Sequence, residues 1–111
     1  MLRTDPVAIV TDGSCGLGRE IARRLVSRGY AVVLAYLHDE GEAEGAVEEI
    51  VAAGGAALTV RADVTDELDV ERLFHETTTA FGGVDVVVHT ATRGASAIQR
   101  QAARRLRRPF T

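Results

Sequence analysis

The chain contains no lysine and no asparagine, and all 13 of its basic residues are arginine. The missing lysine excludes Schiff-base chemistry, a phosphate-binding P-loop lysine and any lysine-assisted acid/base pair. A single cysteine, Cys15, excludes an internal disulfide and a cysteine-rich metal site. Long apolar runs are also missing. Ala31–Leu37 and Val84–Val88 are far too short to span a bilayer. Met1–Pro6 has no apolar signal core, so secretion is not expected and a cytoplasmic location is. What is present is 111 residues, 46% hydrophobic and 26% charged. That is enough for about one soluble domain and too apolar for disorder.

The net charge of −3 conceals two unequal parts. Residues 93–111 carry six arginines and no acid, which leaves seven arginines against all 16 acids in residues 1–92. A basic tail on an acidic body raises the question of nucleic acid or membrane contact. Phe110 is the only aromatic residue in the tail and no nucleic-acid motif accompanies the arginines, which argues against that role. A solvated helix face, or a tail paired with its own acidic body, is the plainer expectation.

Hydrophobic patterning divides the chain regularly. Val7–Thr11 is β-branched without polar alternation, the pattern of a strand buried on both faces. A glycine-rich turn, Asp12 to Gly18, leads into a helix predicted over Gly16–Arg28 and closed by Gly29. Ala31–Tyr36 is a second strand, Glu40–Ala53 a second helix and Ala57–Arg61 a third strand. Thr65 is the expected N-cap of a third helix over Glu67–Phe81, and Val84–His89 is a fourth strand. Alternation of this kind predicts an α/β, Rossmann-type doubly wound parallel sheet. After Thr92 the pattern weakens, and Ala95, Ile98, Ala102 and Leu106 suggest one narrow helical stripe.

A helix that starts from a strand through a glycine turn is a ready anion site, because its free N–H groups and its dipole favour negative charge. Glycine serves where a phosphate must approach the backbone closely. Here the spacing is Gly13-x-x-Gly16-x-Gly18 between the first strand and the first helix. A tight turn with no ligand is the plainer alternative.

Val7 to Arg19 resembles the cofactor loop of the short-chain dehydrogenase/reductase family, which carries Thr-Gly-x-x-x-Gly-x-Gly after its first strand. Asp63-Val64 after the third strand is similar to that family's acidic position near the adenine ring. Val84 to Ala91 is similar to its fourth strand, which ends in Asn-Asn-Ala-Gly. The resemblance covers about residues 6–92 and implies the sheet order 3-2-1-4, truncated after the fourth strand. It implies a division into an NAD(P)-binding half-domain, residues 1–92, and an Arg-rich tail, residues 93–111. The implied cofactor-binding residues are Thr11, Gly13, Ser14, Cys15, Gly16, Leu17, Gly18, Tyr36, His38, Asp63, Val64, Thr90 and Ala91.

The chain departs from the family pattern at several positions. Asp12 stands where the first motif glycine belongs. A carboxylate about 4 Å from a phosphate charge repels it by roughly 1 kcal/mol in water and about 4 kcal/mol at a protein surface. His89 and Thr90 replace the two asparagines, and Thr92 replaces the glycine. Cofactor choice is made at the end of the second strand, where an acid favours NAD and a base NADP. The segment is Tyr36-Leu37-His38-Asp39. His38 or Arg19 could meet a 2′-phosphate, so NADP is expected ahead of NAD, with Asp39 arguing the other way.

In the resembled family hydride transfer depends on a Tyr-x-x-x-Lys pair and a serine, supported by an asparagine. This chain has Tyr30 and Tyr36 only, one entering and one ending the second strand, and no Lys or Asn to complete the set. No catalytic residue is assigned and no metal is expected, since His38, His75 and His89 follow no ligand motif. Val84–His89 would be an edge strand with no Lys or Pro to discourage pairing and no helix over its faces, so self-association through that edge is expected. Three readings stand: an inactive NAD(P)-binding half of an oxidoreductase, a non-enzymatic nucleotide-binding or interaction module, and a frameshifted product without function.

Overall fold

Val7–Thr11 forms β1 in a computed structural model that describes residues 5–11, 16–90 and 94–107. All five of its side chains are buried, as a strand in the middle of a sheet covered on both faces requires. There follow α1 (Gly16–Ser27), β2 (Ala31–Tyr36), α2 (Glu40–Ala52), β3 (Ala57–Arg61), α3 (Glu67–Phe81), β4 (Val86–Val88) and α4 (Ala95–Arg105). The strands are all parallel, in the order β3-β2-β1-β4. This is the doubly wound α/β sheet that the alternation predicts.

The two faces of the sheet bury separate cores, because successive strand side chains point to opposite sides. Ala8, Val10, Val32 and Leu34 meet Ala22 of α1 and Ala46 and Ile50 of α2. Ile9, Val33 and Val60 meet Val70, Leu73 and Phe74 of α3 and Ala97 and Ile98 of α4. Phe74 is fully buried and is the largest such side chain among the described residues. Registers are in step: Val7 pairs with Ala31, and Tyr36 with Arg61, so β1, β2 and β3 finish at one edge.

The structure corrects three expectations. The N-cap of α3 is Asp66, not Thr65: its carboxylate accepts the Leu68 N–H at 2.9 Å and the Asp69 N–H at 3.2 Å. A carboxylate is the stronger acceptor for these orphan donors. Thr65 instead bonds back to Asp63 Oδ1, from its backbone N–H at 2.9 Å and its hydroxyl at 2.6 Å.

β4 is also shorter than Val84–His89. Asp85 is diverted, its N–H donating to the Val7 carbonyl at 2.8 Å while its carboxylate accepts the Val7 N–H at 2.8 Å. Beyond Val88 the strand yields to side-chain bonding by His89 and Thr90.

The third correction concerns the fourth-strand edge, which is neither uncovered nor wholly open. α4 lies over one face of the sheet, where Ala97, Ile98, Ala102 and Leu106 join the core that includes Val87. Gly94 brings α4 there: its φ is +80°, and a Cβ at that position would run into the Val64 carbonyl oxygen. After α4 the chain returns alongside β4. Leu106 bridges Val84 in parallel, and the Arg107 N–H donates to the Val84 carbonyl at 2.7 Å. No described helix is long and apolar enough to cross a membrane.

Candidate functional site at the sheet switch point

From β1 the chain steps outward to β2 and β3, then returns to the far side of β1 for β4. Connections diverge at the ends of β1 and β4, and in open α/β sheets that divergence opens the ligand crevice at the strands' carboxyl ends. The side chains there are Thr11, His89 and Thr90. Thr11 is fully buried, and its Oγ1 lies 2.9 Å from His89 Nδ1. The same oxygen accepts the Thr90 N–H at 3.3 Å, and the Thr90 hydroxyl donates to the Thr11 carbonyl at 3.2 Å. The side chains thus extend the pairing of β1 with β4 past Val10 and Val88.

α1 begins beside this end with Gly16 and Leu17 exposed and Gly18 buried. Its first turn carries no acid, and a Cβ on Gly16 would meet nothing within 4 Å. An exposed helix start with open space and no carboxylate of its own can accept an anion. Gly13, Ser14, Cys15 and Ala91, together with Asp12 and Thr92, lie outside the described residues.

Tyr36 ends β2 and is buried, and His38 is exposed two residues on. Asp39 precedes α2 without making a side-chain cap bond. Asp63 and Val64 form the turn after β3. Besides holding Thr65, Asp63 donates its backbone N–H to Asp69 at 2.9 Å, so the turn is laced to the start of α3. Gly94 packs against Val64 from the other side. The strand ends therefore gather Thr11, Tyr36, Asp63, Val64 and Thr90 along one edge of the sheet.

Arg19 does not join them. Its guanidinium bonds Glu42 at 3.3 Å and Glu49 at 2.6 Å, tying α1 to α2. A different arginine, which no motif in the sequence marks, is there instead. Arg61, the last residue of β3, sends its Nε–H to the Leu37 carbonyl at 3.3 Å, across the end of β2. Its own carbonyl is held by Arg72 at 2.5 Å. Hydrogen bonding to Glu76 keeps the Arg72 guanidinium above its usual range, so that anchor stays charged.

The opposite edge of the sheet has its own clasp. Arg107 forks onto Asp85, with Nη2 2.5 Å from Oδ2 and Nε 3.2 Å from Oδ1. The Asp85 side chain is 9% exposed, so this bidentate pair is better shielded than the helix-surface ion pairs. A cavity of about 320 Å³ lies between α1 and α2, lined by Val26, Ile50, Ala53 and Gly55. It sits at the C-terminal ends of the two helices, away from the crevice, and holds none of the site residues. No group of three or more potential metal ligands gathers among the described residues.

Comparison with known proteins agrees with this geometry. The family model for short chain dehydrogenase matches residues 6–108. A hydroxynaphthalene reductase-like protein of Metarhizium robertsii is 41% identical over 85 residues, covering 77% of this chain and 32% of that protein. A 3-oxoacyl-[acyl-carrier-protein] reductase of Staphylococcus aureus is 39% identical over 84 residues, covering 76% and 34%. The chain thus spans about a third of the length of these curated relatives. A crystal structure of a dehydrogenase/reductase from Sinorhizobium meliloti superposes with a TM-score of 0.87 at 34% identity, over 91% of this chain and 49% of that one. A Serratia marcescens short-chain dehydrogenase/reductase superposes equally well, at 26% identity over 96% and 53%. The family match extends through α4 and the Leu106–Arg107 return. The strand order, the solved structures that superpose on it and a family match over residues 6–108 have one meaning: the chain belongs to the short chain dehydrogenase family.

Proposed function

We propose that this chain is the nicotinamide-dinucleotide-binding part of a short chain dehydrogenase, and that by itself it binds cofactor without turning over substrate. The observation that carries the reading is the cluster of Thr11, His89 and Thr90 at the switch point, beside an α1 start that is exposed and free of acids. The helix start suits the diphosphate. Thr90 and His89 offer hydroxyl and imidazole groups where the family pattern has carboxamides. The turn at Asp63 and Val64 suits the adenine end. When bound, the cofactor would supply a hydride donor or acceptor. This chain would bind and orient it, while the Tyr-x-x-x-Lys pair that moves the proton is absent from its sequence. NADP(H) is favoured over NAD(H), since bases and not acids stand closest to the end of β2. Titration of the chain with NADPH, followed by calorimetry or nicotinamide fluorescence, tests the binding. A saturable signal is expected, and no signal at millimolar cofactor would refute the reading.

A second reading is a non-enzymatic module that pairs through the fourth strand. It is favoured by the outer edge of Val86–Val88, which no described strand occupies beyond the Val84–Leu106 bridge. Sedimentation velocity across a concentration series distinguishes the two. A monomer at every concentration removes this second reading and leaves the first intact.

A further inference from the structure

The guanidinium of Arg61 occupies a position that sequence order does not suggest. β2 and β3 are parallel and in register, with Tyr36 opposite Arg61, so the last side chain of β3 stands beside the end of β2. Alternation puts Val60 in the core under α3 and hence Arg61 on the α1/α2 side of the sheet. From there its Nε–H donates to the Leu37 carbonyl at 3.3 Å, one residue before the exposed His38. This single bond fixes the head of a long, flexible side chain. Its two terminal amino groups have no carboxylate partner among the described residues, whereas Arg19, Arg72, Arg100 and Arg107 are each paired with acids. A positioned guanidinium with two open donors matches the planar, bidentate geometry of a phosphate monoester. The residue after the second strand of a dinucleotide fold faces the adenosine ribose.

Resting on the cofactor reading above, we infer that Arg61, and not Arg19, is the specificity-determining residue that recognises the 2′-phosphate of an NADP-type cofactor, with His38 beside it. Arg19 is withdrawn by Glu42 and Glu49. Asp39, whose side chain makes no cap bond, is the nearby group that would oppose a second phosphate.

The probes are adenosine 2′,5′-bisphosphate and adenosine 5′-monophosphate, titrated into the full chain and followed by calorimetry or amide chemical shifts. The bisphosphate should bind ten- to a hundredfold more tightly. In R61Q the ratio should fall towards one while the thermal midpoint stays in place, since the side chain is exposed. R61K should keep part of the preference, as a point charge without the fork. R19Q should leave the ratio unchanged. Equal binding of the two probes by the unaltered chain, or a preference that survives R61Q, overturns the inference while the cofactor reading stands. Binding of neither probe overturns both.

Discussion

At the scale of single residues, two side chains hold more of the molecule than their size suggests. Thr11 has one buried hydroxyl serving His89, Thr90 and the Val88 carbonyl at once. Thr11→Val keeps the volume and leaves those groups without their shared partner, which should cost about 1–3 kcal/mol. Chemical denaturation measures the loss, and an unchanged midpoint would show that the cluster contributes nothing to stability. Asp85 serves the Val7 N–H and the Arg107 fork together. Its partner's guanidinium is raised above the ordinary arginine value by that hydrogen bond. A raised pKa stabilises fully below the ordinary arginine value and is lost only as pH rises through the higher folded one. The arginine side of the clasp is therefore insensitive to pH across the working range. Asp85→Ala should lower stability by about 2 kcal/mol, as expected for a shielded charged acceptor. The same denaturation experiment reads it.

At the scale of elements, the strands were legible because each is a short, mostly apolar run bounded by turn residues. β1 and β2, buried on both faces, show it most clearly, while β3 ends in the exposed Arg61. The start of α3 was less legible, because Thr65 and Asp66 are adjacent and both are good caps. The choice between them depends on Asp63 capturing Thr65, a contact the one-dimensional pattern does not contain. Asp66→Ala should therefore cost about 1 kcal/mol, and more than Thr65→Ala in a melt of the two variants side by side. The fourth helix was legible only as a stripe of alanines around Ile98. What places it is Gly94, with a positive φ and a backbone pressed against Val64. Gly94→Ala should lose several degrees of melting temperature, because both the conformation and the contact exclude a side chain. Arg61 was illegible for a related reason. The rule for cofactor choice looks along the chain past β2, whereas Arg61 reaches that place from the next strand. Register is a property of the sheet, not of either strand.

At the scale of the whole molecule, the division of labour follows the direction of the strands. The carboxyl edge collects the polar side chains of the proposed nucleotide site, and the amino edge collects the fastenings. The exposed edge anticipated from the fourth strand is partly closed by Leu106 and Arg107, which lie against Val84. That closure depends on the clasp with Asp85, so Arg107→Ala should free the edge and promote association. Sedimentation velocity should show a shift to larger species at lower concentration than for the unaltered chain. An unchanged distribution would mean that the return past β4 is held without the clasp, by the Leu106 bridge and the backbone N–H of residue 107.

The clasp has a geometrical consequence as well. Arg107 Nη2 also reaches the carbonyl of Asp5 at 3.4 Å, so the two ends of the described chain touch. They touch on the side of the sheet opposite Thr11 and His89, a strand's length away. A short bridge of a few residues joining the neighbourhood of Asp5 to that of Arg107 would make the backbone circular. It could then be reopened at an exposed turn such as Ala53–Gly54 without disturbing the order of the sheet.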